Sequence, residues 1–202
     1  MLVSMKEMLE DAKKNHYALP AFDVSNYEMM RAVLDVCEEE RSPALLMGLE
    51  VDFEGKGREL LAAMINAASD FYKIPVCFHL DHGPSELEAQ KILYWGATGI
   101  MYDGSVHPYE ENIANTKHIV DICNAINVGV EGELGHVGDN EGSAEGSSHL
   151  ADPSAFFTDP ALAKDFVDRT GVDALAVAIG TAHGAYKTKP CLDIERLKAI
   201  RA

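Results

Sequence analysis

The stretch of residues 74–104 reads IPVCFHLDHGPSELEAQKILYWGATGIMYDG. The apolar run at Ile74–Asp81 predicts a buried strand, and Thr98–Gly104 predicts a second one. Between them, Ser85 followed three residues later by Glu88 is typical of a helix N-terminus closed by a capping box. The stretch therefore predicts a strand–helix–strand unit in which each strand ends in polar residues.

The same alternation runs along the whole chain. The predicted strands are Tyr17–Asp23, Pro43–Gly48, Ile74–Asp81, Thr98–Gly104, Val128–Gly135 and Asp173–Gly180. The predicted helices are Ser4–Asn15, Tyr27–Arg41, Arg58–Tyr72, Ser85–Trp95, Tyr109–Asn124, Asp159–Thr170 and Asp193–Arg201. Apolar strands alternating with helices predict an α/β fold with a parallel sheet covered on both faces. A doubly wound open sheet and a (β/α)₈ barrel both fit, although no G-x-G-x-x-G follows the first strand.

Composition narrows the class of protein. The 202 residues are 47% hydrophobic, enough for one sizeable core, and the net charge is 17 − 33 = −16. This acidity argues against a nucleic-acid or anionic-membrane partner, since both need a basic surface. The four cysteines form no C-x-x-C pair, and neither a signal-peptide pattern nor an apolar run of membrane-spanning length is present. We therefore expect a cytoplasmic location.

Titratable residues collect where the predicted strands end. These residues are Asp23, Asp81, His82, Asp103, Glu131, Glu133 and His183. Because the carboxyl ends of parallel strands meet at one rim, we expect the side chains to lie close together. Histidines among carboxylates suit a divalent metal, most simply zinc, which acts as a Lewis acid while an unligated carboxylate transfers protons.

Three residues at or near this rim also have a structural interpretation. Asp81 is placed to cap the following helix, His79 to be a core or supporting histidine, and Glu133 to hold the glycine-rich loop that follows. The loop 138–148, GDNEGSAEGSS, is either an exposed loop or a mobile lid. In the lid interpretation the proton-transferring acid is one of Asp139, Glu141 and Glu145.

Five motifs together resemble one enzyme family. They are PAFDVSNYE (20–28), HLDHG (79–83), MYDGS (101–105), EGELG (131–135) and AVAIGTAHGAY (176–186). In order and spacing they resemble the class II, metal-dependent ketose-bisphosphate aldolases, which include the fructose- and tagatose-bisphosphate enzymes of carbohydrate metabolism and glycolysis. The resemblance implies a (β/α)₈ TIM barrel and a zinc-dependent lyase. Its reaction is the reversible cleavage of a ketose 1,6-bisphosphate into dihydroxyacetone phosphate and glyceraldehyde 3-phosphate.

The resemblance also implies roles for individual residues. Asp81 matches the residue that exchanges a proton with the hydroxyl at the cleaved bond, and His82 and His183 match two of three zinc ligands. Asp103 and Glu133 match positions that hold a second or alternative metal. Gly184 matches a backbone contact to the triose phosphate, and Asp23 lies in the substrate-binding first strand. A homo-oligomer (a dimer or tetramer) and a further divalent or monovalent cation are also implied.

The sequence departs from the family pattern in three places. The family continues with a seventh strand carrying H-G-x-S-G and an eighth ending in N-V-x-T, and neither motif is present in this sequence. We therefore expect residues 1–202 to form a single, C-terminally incomplete domain of six β/α units. Asp23 stands where the family usually has asparagine, and Gly48–Glu50 where a serine-containing turn is common. His107 and His136 are the candidates to replace the missing ligand.

Two other functions remain open at this stage. One is a catalytically inactive remnant that acts as a subunit or interaction module, for which little zinc binding is expected. The other is a different metal-dependent barrel enzyme, such as a hydrolase, whose substrate needs no phosphate. Zinc stoichiometry and the need for phosphate on the substrate separate these from the aldolase.

Overall fold

A computed structural model describes residues 2–139, 156–186 and 189–202, with only the backbone described at 138 and 139. The helices are α1 (Met5–Asn15), α2 (Tyr27–Glu39), α3 (Gly57–Phe71), α4 (Glu86–Tyr94), α5 (Tyr109–Asn124), α6 (Pro160–Thr170) and α7 (Ile194–Arg201), with a 3₁₀ turn at Glu50–Phe53. The strands are β1 (Ala21–Asp23), β2 (Ala44–Gly48), β3 (Val76–Gly83), β4 (Gly99–Tyr102), β5 (Gly129–Leu134), β6 (Gly138–Asp139), β7 (Ala174–Val177) and β8 (Ala182–His183).

Six of the strands form one parallel sheet in the order β1-β2-β3-β4-β5-β7. The order follows the chain without reversal, whereas a doubly wound sheet reverses direction at its switch point. The sheet is therefore a half-barrel of six β/α units, which confirms the barrel expectation over the doubly wound one. Within the described residues, β1 and β7 each keep one unpaired edge. The short strands β6 and β8 pair separately and in parallel.

The outer face of the sheet holds the main hydrophobic core. Leu46, Phe78, Leu80, Ile100 and Val130 alternate along β2–β5, and all are completely buried against the helices. This alternation follows from the two-residue period of a strand. Burying a side chain of this size contributes about 1.5–3 kcal/mol, so the outer face contributes most to holding the sheet together.

The inner face begins with a separate apolar cluster at the amino-terminal end of the barrel. Met5 and Met8 of α1 pack there against Leu45 and Cys77. Gly99 gives α1 room to approach, because a Cβ there would lie 3.0 Å from the Cβ of Met5. Helix α1 thus closes the amino-terminal end of the barrel, and the predicted site residues lie at the opposite, carboxyl end.

The capping of α4 agrees only in part with the predicted capping box. The Ser85 hydroxyl accepts from the Glu88 backbone N–H at 3.2 Å, so Ser85 is the N-cap. The Glu88 carboxylate pairs with Arg58 at 3.0 Å and Lys91 at 2.8 Å instead of turning back to the helix start. Since Ser85 is the cap, the interpretation of Asp81 as the cap of this helix is wrong.

An open cavity of about 1540 Å³ separates α1 from α6 and α7. Its lining includes Ala18, Leu175 and Ile200, together with Asp173 just before β7. None of the predicted site residues lines it.

Candidate metal centre and active site

Three side chains from neighbouring strands meet at the carboxyl ends of the sheet. His82 is the next-to-last residue of β3, Asp103 follows β4 directly, and Glu133 is the next-to-last residue of β5. One potential ligand atom from each lies within 4.8 Å of the others. His82 Nδ1 is 2.8 Å from Asp103 Oδ2 and 3.8 Å from Glu133 Oε2. The structure therefore brings three of the predicted residues into one cluster.

The backbone at His82 is shaped to aim its ring at this cluster. Leu80 pairs with Ile100, but Gly83 pairs with Tyr102, so β3 holds one extra residue where the register shifts. His82 has a φ of 46°, in the left-handed region that costs a non-glycine residue free energy. Gly83 allows the close approach of β4, because a Cβ there would lie 2.6 Å from the Met101 carbonyl oxygen. This irregularity was not visible in the sequence.

The Asp103 carboxylate is oriented from both sides. The Ser105 backbone N–H donates to Asp103 Oδ1 at 3.0 Å, while Oδ2 contacts His82. Ser105 was not predicted to orient Asp103. The pattern that could have indicated it is an Asp directly after a strand, because an Asp carboxylate often accepts a hydrogen bond from the backbone N–H two residues later.

The three groups shift each other's pKa values. The hydrogen bond to Asp103 raises the pKa of His82 to about 9, although burial opposes this. Burial also disfavours the charged form of Asp103, but the hydrogen bonds from His82 and Ser105 outweigh it and lower its pKa to about 2. Burial, followed by the charge of Asp103, raises the pKa of Glu133 to about 7. Strongly shifted pKa values at one place are typical of a functional site.

The donor set fits a divalent cation. Glu133 is 2% exposed, and its buried Oε2 has no hydrogen-bond partner. A buried carboxylate oxygen without a partner is costly unless a cation meets it. An imidazole with two carboxylates is also a donor set that divalent transition metals accept. Within the described ranges this is the one group of three or more His, Cys, Asp or Glu side chains close enough to hold a metal.

Asp81 and Asp23 lie beside the cluster. The charge of Asp81 helps raise the pKa of His82. The pKa of Asp23 is raised, first by burial and then by the charges of Asp81 and Asp52. Asp52, whose carboxylate accepts from the Leu49 N–H at 3.0 Å, is a neighbour that the sequence analysis did not identify. This side of the rim is therefore acidic.

His183 lies next to His82 but outside the three-residue cluster. The two rings have centroids 5.1 Å apart in an edge-to-face arrangement, and the His183 side chain is exposed. His183 ends the short strand β8, which pairs with the backbone of β6. Gly184 follows with a φ of 74°, a conformation that suits glycine.

Neither candidate for a replacement ligand belongs to the cluster. His107, just before α5, has its Nδ1 3.3 Å from a carboxylate oxygen of Glu111 in the first turn of that helix, and His136 Nδ1 lies 3.5 Å from Ser105 Oγ. The predicted loop 138–148 lies outside the described residues except for the backbone at 138 and 139. The role proposed for its acids in proton transfer therefore stays a prediction from the sequence.

Comparison with known proteins assigns the family. The model of the family "Fructose-bisphosphate aldolase class-II" matches residues 3–202. The chain belongs to the class II fructose-bisphosphate aldolase family. Nearly all of the chain takes part in the match, as the five motifs predicted.

Solved structures give the same result. The YdjI aldolase from Escherichia coli K12 is 34% identical with a TM-score of 0.85, over 100% of this chain and 69% of that one. A Coccidioides immitis protein assigned as a fructose-1,6-bisphosphate aldolase is 29% identical with a TM-score of 0.80, over 98% and 68%. The fructose-bisphosphate aldolase of Campylobacter jejuni, 23% identical, shares the fold with a TM-score of 0.75, over 99% and 65%.

This chain therefore spans about two thirds of the length of these aldolases. None of its described helices is long and apolar enough to cross a membrane.

Proposed function

We propose that this protein is a zinc-dependent aldolase that reversibly cleaves a ketose 1,6-bisphosphate to dihydroxyacetone phosphate and glyceraldehyde 3-phosphate. The observation that supports it most directly is the cluster of His82, Asp103 and Glu133 at the carboxyl ends of the strands. That end of a barrel is where its enzymes carry their active sites. Membership of an aldolase family supplies the reaction class.

In this proposal His82 and His183 hold the zinc, and Asp103 and Glu133 hold it in an alternative position or hold a second cation. The 5.1 Å separation of the two histidine rings is compatible with ligands to one ion. Asp103 also orients His82 through their 2.8 Å contact. A carboxylate that fixes the imidazole of a metal ligand is a common arrangement in metal sites.

Asp81 is the proposed proton-transfer group. It lies among the cluster residues without belonging to the metal-binding group. In the cleavage direction its carboxylate takes the proton from the hydroxyl at the bond to be broken, and the aldehyde forms as the carbon–carbon bond breaks. Zinc, when bound, supplies a Lewis acid that stabilises the negative charge left beside the ketone. In the reverse direction Asp81 returns the proton.

The substrate is proposed to be a phosphorylated sugar, fructose or tagatose 1,6-bisphosphate. Gly184, in its left-handed turn after His183, presents backbone to the triose phosphate. Asp23 lies where Asp81 and Asp52 add negative charge. An anionic phosphate is disfavoured there, so we place the sugar hydroxyls, not a phosphate, next to Asp23.

The proposal is tested by incubating the purified chain with each bisphosphate, with and without zinc, and measuring release of dihydroxyacetone phosphate. Zinc-dependent release that stops after chelation is the expected result. Stoichiometric zinc with no release from either sugar would contradict the aldolase. Release of inorganic phosphate, or turnover of an unphosphorylated substrate alone, would instead support a metal-dependent hydrolase.

A second candidate is a catalytically inactive subunit or interaction module. The observation in its favour is that β1 and β7, among the residues described, each have one edge without a partner strand, since exposed edges readily pair with other chains. An inactive subunit would associate with other chains and show no turnover. Sedimentation measures the association, and the bisphosphate assay above measures the turnover.

A further inference from the structure

A fully buried histidine next to the active site has no ordinary hydrogen-bond partner. His79 is 0% exposed, and neither of its ring nitrogens makes a hydrogen bond. Its Nε2 lies 3.4 Å from Glu131 Oε2, close enough for an ion pair although not aligned as a hydrogen bond. Burying a polar group without a partner costs about 1–3 kcal/mol, so the Glu131 contact is what offsets the burial of this ring.

The contact crosses the inside of the barrel. His79 belongs to β3 and Glu131 to β5, and β4 lies between these strands. Gly99 of β4 makes the space, because a Cβ there would lie 2.6 Å from His79 Nδ1. The pair therefore ties two non-adjacent strands together through a gap that a side chain on the middle strand would close.

Both strands deliver active-site residues a short distance further on. Asp81 and Glu133 each follow two residues after a member of the pair, on the same face of their strands. His79 and Leu80 are also the last regularly paired residues of β3 before the register shift that carries His82. The pair thus fixes the strand where its regular part ends.

The segment after His79 needs such an anchor. A residue held in an unfavourable backbone conformation costs about 1–3 kcal/mol and persists only when its surroundings fix it. His82 is such a residue, with a φ of 46°. On its far side the segment is held by the Asp103 N–H, which donates to the Gly83 carbonyl at 3.1 Å. On its near side the tie across the barrel is the His79–Glu131 contact.

The geometry points to His79 and Glu131 as positioning residues: their contact fixes β3 at the start of its register shift and so places His82 for metal binding. This inference rests on the proposed function, because it assigns the pair a role in the same site. Neither residue touches the substrate. They act through the backbone of β3.

The test compares two changes at His79 with a control at its neighbour. His79→Leu removes both nitrogens, and His79→Gln keeps an N–H in the place of Nε2. Phe78→Leu alters a fully buried residue that faces the outer core instead. For each folded variant, zinc affinity, the visible spectrum of the cobalt-substituted protein and the melting temperature are measured.

We expect His79→Leu to weaken zinc binding by about 10-fold or more, as loss of an outer-sphere partner typically does, and to change the cobalt spectrum. His79→Gln should recover part of that affinity, and Glu131→Gln should lose less than Glu131→Ala. Phe78→Leu should lower the melting temperature at least as much and leave the spectrum unchanged. Wild-type affinity and spectrum in His79→Leu would overturn the inference, as would the same spectral change in Phe78→Leu.

A second measurement needs no metal. In the metal-free protein, the backbone amide NMR signal of His82 should move in His79→Leu and stay in place in Phe78→Leu. An unmoved His82 signal would overturn the inference even if zinc binds. Failure of the unaltered protein to bind zinc or cobalt would count against the proposed function, and the His82 signal would still decide the role of the pair.

Discussion

The two faces of strand β3 differ in what their side chains contribute. Phe78 and Leu80 face outward and lie completely buried among apolar neighbours of the main core. His79 and Asp81 face inward, one against a carboxylate and the other beside the candidate metal centre. Because a strand turns alternate side chains to opposite faces, neighbouring residues of β3 have different roles: the outward ones stabilise the core and the inward ones lie at the candidate site.

We therefore expect substitutions on the inner face to reduce zinc binding or turnover with little loss of stability. Substitutions on the outer face should lower stability and leave zinc binding unchanged. Along the inner face, the type of side chain also changes from one end of the strands to the other. Met5 and Cys77 close the amino-terminal end, and the titratable groups occupy the carboxyl end. Substitutions on each face test this separation.

His82→Ala should remove zinc binding and with it turnover, while the melting temperature changes little. Losing a ligand should cost more than the roughly 10–100-fold in affinity lost with an outer-sphere partner. The measurement is zinc content after dialysis at fixed free zinc. His118→Ala, at an exposed histidine paired with Glu86, is the matched control. Full zinc content in His82→Ala would show that His82 is not a ligand.

Asp81→Ala should reduce turnover by about 10²- to 10⁴-fold, the range for loss of a general acid–base group. Zinc should stay bound, because Asp81 lies outside the ligand cluster. Steady-state assays with either bisphosphate measure the loss. Asp121→Ala removes a surface ion pair with Lys117 and should have no effect on rate. Unchanged turnover in Asp81→Ala would end its assignment as the proton-transfer group.

Phe78→Ala should lower the free energy of unfolding by about 3–5 kcal/mol, because it leaves a cavity in a fully buried site. The molecules that remain folded should keep their zinc. Urea unfolding and zinc content of the folded fraction are the two measurements. Loss of zinc from protein that is still folded would break the separation between the two faces.

Much of this arrangement was predictable from the sequence. The order of strands and helices follows from apolar periodicity, and the meeting of Asp103, Glu133 and His82 follows from parallel strands ending at one rim. Boundaries were less accurate. The first predicted strand began at Tyr17, but β1 begins at Ala21, where its regular pairing with β2 begins.

The details of the site were not predictable, because they depend on contacts between distant residues. The extra residue in β3 arises from pairing with β4, and the left-handed His82 follows from it. Glu88 fits a capping-box pattern, yet its carboxylate is drawn to Arg58, thirty residues away. The positions of Asp52 near Asp23 and of Glu131 near His79 likewise exist only in the folded chain.

Ser85→Ala is expected to give the smallest effect, a loss of about 1 kcal/mol in unfolding free energy through the missing helix cap. Turnover and zinc content should stay at their original values, since the cap acts on α4 alone. Ser85→Asn, which retains a capping side chain, should recover most of the stability. A drop in turnover without loss of stability would mean that Ser85 belongs to the site.

The proposed function requires a metal ion at the inner face, where β3, β4 and β5 end. The most direct measurement is anomalous diffraction at the zinc absorption edge from crystals of the zinc-loaded protein. We expect one strong peak bordered by His82, with Asp103, Glu133 and His183 around it. A structure with zinc bound elsewhere, and no peak beside His82, would contradict it.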